Sequence, residues 1–218
     1  MEDTHYSLIL ECVEYSIYRH TNEYLLSNTY IIKNNIDNSC WIIDPGDFEF
    51  IRKYIQLKLL NLNGVFLTHV HFDHLYGLEY ILKCRPDVLV IGHKESLSGI
   101  SCSKRNLSRY YTYEVNCILP QNIKDVKAGD IVPLWEGASM DIYETPGHDS
   151  SCLSFYFNGC LFTGDAYIPG LKTITNLPYS NKLASETSVD FISSHFDKGT
   201  IVCPGHQEHS ILYKINEQ

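Results

Sequence analysis

The chain has 218 residues, 44% of them hydrophobic, with 17 Lys plus Arg against 26 Asp plus Glu. That length and apolar share suffice for a sizeable core, and the acidic excess argues against non-specific attraction to nucleic acid or an anionic membrane. The acidic start, MEDTHYSLIL, lacks the basic-then-apolar order of a signal peptide, and no apolar run approaches the roughly 20 residues that span a bilayer. Eight scattered cysteines without a CxxC pair read as free thiols in a reducing cytoplasm. The expectation is a cytoplasmic protein with no nucleic-acid or membrane partner and a homodimer as the default assembly.

In chain order, YLLSNTYIIK and SCWIIDPG flank NNIDN and predict a hairpin ending at Asp44-Pro45-Gly46. Next, FEFIRKYIQLKLL places Phe48, Ile51, Ile55 and Leu59 on one helical face behind Asp47 as candidate N-cap. GVFLT predicts a short strand, HLYGLEYILKC a helix stopped near Pro86, and DVLVIG a buried strand. Residues 94–127 are the least regular. Strand patterns resume with DIVPLW, MDIYETPGH, LSFYF and CLFTGD, the last two joined through Asn158-Gly159 as a tight hairpin. SETSVDFISSHF reads as a helix and TIVCPGH as a final strand. Strands that repeatedly end in polar residues, with helices interspersed, predict two packed sheets with helices outside, as one α/β domain.

Residues 66–77, FLTHVHFDHLYG, hold His69, His71, Asp73 and His74 within six positions. If His69 and His71 end a strand, alternation points both rings the same way, and a turn into the next helix can bring Asp73 and His74 around. Imidazole and carboxylate without thiolate suit zinc, iron or manganese, and structural zinc sites favour cysteine, so the set points to catalysis. YETPGH, CLFTGD and IVCPGH add His148, Asp165 and His206, each at the end of an apolar strand behind a Pro or Gly turn. Seven ligands exceed one tetrahedral metal and suit two.

The run THxHxDH, followed by PGH, GD and PGH, resembles the metallo-β-lactamase superfamily, with Asp44-Pro45-Gly46 as a further match. The likeness runs from about Tyr24 to His206. It implies a four-layer αββα sandwich, a single metallo-β-lactamase-type domain over 1–218, and a substrate-shaping insertion near 94–127. It also implies two divalent cations: one held by His69, His71 and His148, the other by Asp73, His74 and His206, with Asp165 bridging. Asp44 would support these loops without being a ligand. Zinc is the expected metal, with iron or manganese accepted by the same donors.

A water between such cations would have its pKa lowered toward about 7. The resemblance therefore implies a hydrolase whose bridging hydroxide cleaves an ester, thioester or lactone of a small metabolite. Asp73 would also orient the nucleophile, and Tyr167, two residues after Asp165, would assist at the carbonyl. Arg105 and Arg109, among tyrosines in SCSKRNLSRYYTYE, are the candidate contacts for an anionic substrate. Asp149 stands where many relatives have a small hydroxyl residue, and the expectation is that the twelve residues after His206 would not supply a glutathione-binding helical region. Two alternatives stand beside the hydrolase: a mononuclear iron dioxygenase acting on persulfides through His69, His148 and Asp165, and a non-catalytic metal-binding sensor of the same fold.

Overall fold

The computed structural model describes residues 6–58, 61–111, 115 and 120–212. Backbone packing divides the chain into two compact units, Met1–Asp125 and Val126–Gln218. Each unit carries one sheet. No helix among the described residues is long and apolar enough to cross a membrane.

The N-terminal unit pairs seven strands in sequence order: β1 (Ser7–Glu11), β2 (Tyr15–Thr21), β3 (Asn28–Asn34), β4 (Ser39–Ile43), β5 (Asn61–Phe66), β6 (Leu89–Gly92) and β7 (Asn122–Asp125). The first four are antiparallel and joined by turns; from β4 onward the pairing is parallel. Parallel neighbours need crossovers. Helix α1 (Phe48–Lys58) supplies one, and α2 (Phe72–Leu75) with α3 (Leu78–Cys84) supplies the next. Helix α4 (Lys94–Gly99) and a 3-10 turn at Ser108–Tyr110 lie between β6 and β7, in the stretch that reads as irregular in the sequence. Burial on both faces explains why Ile42, Val65 and Val90 come from near-continuous apolar runs.

The expected hairpin forms, with Tyr30 opposite Ile43 and Lys33 opposite Cys40. Its first strand starts at Asn28, later than the apolar pattern suggests. Asn22 Oδ1 accepts hydrogen bonds from the Tyr24 and Leu25 amides, and Leu26 adopts φ 57°, so 22–26 is a turn. Asp47 caps α1, its Oδ1 accepting from the Phe50 amide at 2.9 Å. Phe50 and Ile51 enter the core, while the side chains of Ile55 and Leu59 lie outside the described residues. The helix expected over HLYGLEYILKC is broken at Gly77. Its amide donates to the Pro45 carbonyl at 2.6 Å, and a Cβ there would sit 2.8 Å from that oxygen.

The C-terminal unit contains β8 (Ile131–Trp135), β9 (Ala138–Glu144), β10 (Leu153–Phe157), β11 (Cys160–Gly164), β12 (Ile201–Pro204) and β13 (Ser210–Ile211), ordered β13-β12-β11-β10-β9-β8. Asn158 and Gly159 take φ 45° and 86°, the left-handed pair that a two-residue hairpin requires, and Phe157 faces Cys160 across it. Helix α5 (Lys182–His195) is the crossover to parallel β12, capped by Asn181 Oδ1 accepting from the Ala184 amide. Pro133 falls in β8, at the sheet edge, where a missing N–H is tolerated.

Candidate metal centre

The ligand-type residues form two sets, one in each unit. In the N-terminal unit, β4 and β5 run parallel and end level, with Ile43 opposite Phe66. The chain leaving β4 places Asp44, and the chain leaving β5 places Thr68, His69 and His71 before α2 brings Asp73 and His74. The rings of His69 and His71 are 4.6 Å apart and those of His69 and His74 4.3 Å, all three buried.

The orientation of the His69 and His74 rings is set by one carboxylate. Asp44 Oδ1 accepts from the Thr68 amide at 2.8 Å, and Oδ2 accepts from the Thr68 hydroxyl at 2.6 Å. His74 Nδ1 lies 2.9 Å from the same Oδ2, and His69 Nδ1 lies 3.0 Å from the Thr68 hydroxyl oxygen. With that hydroxyl donating to Asp44, it accepts from His69 Nδ1–H. Both rings therefore carry their proton on Nδ1 and their lone pair on Nε2, the arrangement that readies an imidazole for a metal. Asp44, His69 and His74 hold donor atoms within 4.8 Å of one another, yet both Asp44 oxygens are already committed, so it acts through the rings.

Asp44 sits at φ 51°, unusual for a side chain with a Cβ. Its amide donates to Phe66, and its carbonyl accepts from the Gly46 amide and the Thr29 hydroxyl. Those bonds hold the turn against its strain. Gly46 is required beside it: a Cβ would overlap the Asp73 carbonyl. The hydroxyl of Ser27 donates to that carbonyl at 2.7 Å, fixing the start of α2.

In the C-terminal unit Asp165 follows β11, with Oδ2 3.4 Å from His148 Nε2 and 3.5 Å from His206 Nε2. In the N-terminal unit His74 Nε2 lies 3.7 Å from Asp73 Oδ2. These separations exceed a good hydrogen bond. They match two donors sharing one cation at about 2.1 Å, which a tetrahedral angle sets about 3.4 Å apart. The donor set therefore fits a divalent metal. The imidazole of His148 donates from Nδ1 to the Ile174 carbonyl at 3.0 Å, so its lone pair is again on Nε2.

Gly147 places His148. At φ 146° it passes so close to Ser185 at the start of α5 that a Cβ would collide with that backbone. Asp149 is buried and accepts from the Ser151 amide and hydroxyl, closing the PGHDSS turn.

The other expected residues fall in different surroundings. Tyr167 packs against the cluster of Leu161, Ile192, Phe196, Val202 and Leu212, and burial pushes its phenol pKa above 10. Arg105 pairs with Glu95 at 3.7 Å, its stem over Gly99. Arg109 is exposed, 5.8 Å from the Tyr110 ring. Tyr113 lies outside the described residues.

The family model of the metallo-beta-lactamase superfamily matches residues 23–206. The chain belongs to this superfamily. A hydroxyacylglutathione hydrolase of Buchnera aphidicola subsp. Schizaphis graminum (strain Sg) is 32% identical over 185 residues, 84% of the chain and 64% of that protein. The chain thus spans just under two thirds of that relative's length. Of solved structures, the BLEG-1 B3 metallo-beta-lactamase aligns with TM-score 0.79 at 20% identity, over 90% of the chain and 94% of that protein. TTHA1623 in a di-iron-bound form aligns at 0.75 and 23%, over 89% of the chain and 94% of that protein. These likenesses show the metallo-β-lactamase fold expected from the motifs.

Within this metallo-β-lactamase frame, sequence reasoning missed Thr68 and the Ile174 carbonyl, the groups that orient His69 and His148. Thr68 stands inside the quoted motif, and a hydroxyl directly before the first histidine was the available signal. Nothing in the sequence singled out Ile174, which acts through its backbone 26 residues from its partner.

Proposed function

We propose that the chain is a metal-dependent hydrolase of thioesters, with esters and lactones of small metabolites as the wider class. In this reading one divalent cation is held by His69, His71 and His148, a second by Asp73, His74 and His206, and Asp165 is shared. The observation that carries it is Asp165 Oδ2, set 3.4 and 3.5 Å from two imidazole nitrogens in a chain matched by the superfamily over 184 positions, residues 23–206. Thioesters come first because the Buchnera relative is a hydroxyacylglutathione hydrolase.

When bound, the cations supply a hydroxide near neutral pH and polarise the substrate carbonyl. The chain's own groups prepare that chemistry. Asp44 and Thr68 fix the rings of His69 and His74, and the Ile174 carbonyl fixes His148. Partly exposed Asp73 orients the attacking oxygen. That oxygen would bond to the carbonyl carbon, the carbon–sulfur bond would break, and the thiolate would take the proton the attacking oxygen brought, leaving a carboxylate and a thiol. Arg109, exposed beside Tyr110, meets an anionic group of the substrate, and Arg105, paired with Glu95, is a second cation for it. Tyr167 contributes packing to this arrangement, and a part for its hydroxyl at the carbonyl is the point its substitution tests.

Elemental mass spectrometry on freshly purified protein, followed by a thioester, ester and lactone panel, tests the reading. About two zinc per chain and metal-dependent thioester cleavage are expected. One iron per chain with oxygen uptake on persulfides would replace the hydrolase with the dioxygenase.

A further inference from the structure

A cavity of about 660 Å³ opens in the N-terminal unit, within the size range of small-molecule sites. Its walls are aromatic: Tyr24, Phe48, Phe50, Phe72, Tyr76 and Tyr111 line it. The Phe72 and Tyr111 rings lie 4.3 Å apart at 38°, and those of Phe48 and Tyr76 6.0 Å apart at 50°. Phe50 carries the His20 ring stacked flat on it at 3.8 Å.

The polar groups at the cavity are already engaged with the protein. Asn22 uses its Oδ1 on the Tyr24 and Leu25 amides and its Nδ2 on the Gly46 carbonyl. Asp47 accepts from His20 at 2.9 Å and from the Phe50 amide, and Glu49 pairs with Arg52 at 2.7 Å. Glu23 and Lys53, of opposite sign, are exposed beside it. The cavity therefore offers aromatic surface on which Asp47 and Glu49 are already paired, with Glu23 and Lys53 exposed in its lining. Tyr24 is 92% and Tyr111 55% exposed, apolar surface of the kind that marks a binding groove when it is contiguous. Phe72 stands between His71 and Asp73, so the cavity wall and two of the ligand-type residues share three consecutive positions.

We propose that this cavity is a specificity pocket that seats an uncharged aromatic group carried by the substrate close to its scissile bond. The proposal rests on the hydrolase reading above and narrows its substrate class. Offset and edge-on contacts with several rings favour a planar group over a flexible chain of equal area. Asp47 and Glu49 are already paired, so a charged group placed against the rings would lose water without gaining either carboxylate.

Two measurements on zinc-loaded protein test it independently. The first is binding of phenylacetamide, neutral and not a thioester, by ligand-observed NMR. Saturable binding is expected, weakened at least about tenfold in Phe48→Ala and in Tyr111→Ala and retained in Tyr111→Phe; Tyr111 is exposed enough that its substitution leaves the core alone. No saturable binding, or binding unchanged in both alanine variants, overturns the pocket. The second is turnover of S-phenylacetyl-N-acetylcysteamine against S-acetyl-N-acetylcysteamine. The expected kcat/KM ratio is at least about tenfold in favour of the aromatic substrate, falling toward unity in the same variants. Equal turnover in the wild type overturns the proposal. Binding that responds to the variants without cleavage of either thioester supports the pocket and overturns the thioester reading.

Discussion

Asp44 Oδ2 lies 2.9 Å from His74 Nδ1, and both side chains are buried. Through Thr68 the same carboxylate also fixes His69. Removing such a partner of a metal-binding histidine typically costs 10- to 100-fold in metal affinity. Asp44→Ala is expected to weaken zinc by about that factor in a competitive chelator titration. Thr68→Val releases only the His69 arm and should cost less. Equal affinity in Asp44→Ala and wild type would detach the network from metal binding.

Asp165 stands between His148 and His206 at cation-sharing distances. If its carboxylate is common to both ions, Asp165→Ala lowers bound zinc from about two to one or fewer per chain after gel filtration. Retention of two zinc would refute the shared role.

Gly147 has no room for a side chain against Ser185, whereas Gly137, at φ 78°, has nothing within 4 Å. Gly137→Ala should cost only the backbone penalty, about 1 kcal/mol. Gly147→Ala adds the clash and should cost about 2 to 4 kcal/mol in urea unfolding. Similar values for the two would remove the close approach from the argument.

Burial pushes the Asp47 carboxyl up, but His20 and the Phe50 and Glu49 amides outweigh it and hold the pKa below the usual 3.8. A carboxyl depressed on folding stabilises the protein fully above its unfolded pKa, and that stability is lost as pH falls through the folded value. Asp47→Asn keeps a capping oxygen and removes the charge. The wild type should exceed it by about 1 kcal/mol at pH 7, with the gap closing below pH 3.8. Loss of metal in acid enters both proteins alike. A gap independent of pH would show that charge contributes nothing.

Tyr167 packs into the α5 cluster, and burial raises its phenol pKa from 10, so it is neutral at pH 7. Tyr167→Phe keeps the packing and should leave turnover within about twofold when the hydroxyl contributes packing alone. A loss beyond tenfold would bring the hydroxyl into the chemistry.

The ligand positions were legible because chemistry concentrates at the ends of apolar runs: His69 and His71 after FLT, His148 after YETPG. The hairpin at Asn158-Gly159 was legible because few residue pairs accept two positive φ angles. What stayed hidden was long-range or patternless. Asp44 meets Thr68 across 24 residues and His74 across 30, and no local spacing signals that. Strand β7, NIKD, is exposed along its whole length and shows no alternation. α4 has only six residues, too few for a helical period to emerge. Helix α5 begins at Lys182, before the predicted SETSVDF, because Asn181 caps it there.

Pro133 in β8 has one more effect. An edge strand offers its open N–H and C=O groups to any strand arriving from another molecule, and β8 also exposes Ile131 at 60%. At Pro133 such a visitor meets a position with no N–H, and the register slips between Pro133 and Trp135. A continuous intermolecular ladder cannot propagate through that point, so this edge resists aggregation by its own backbone chemistry.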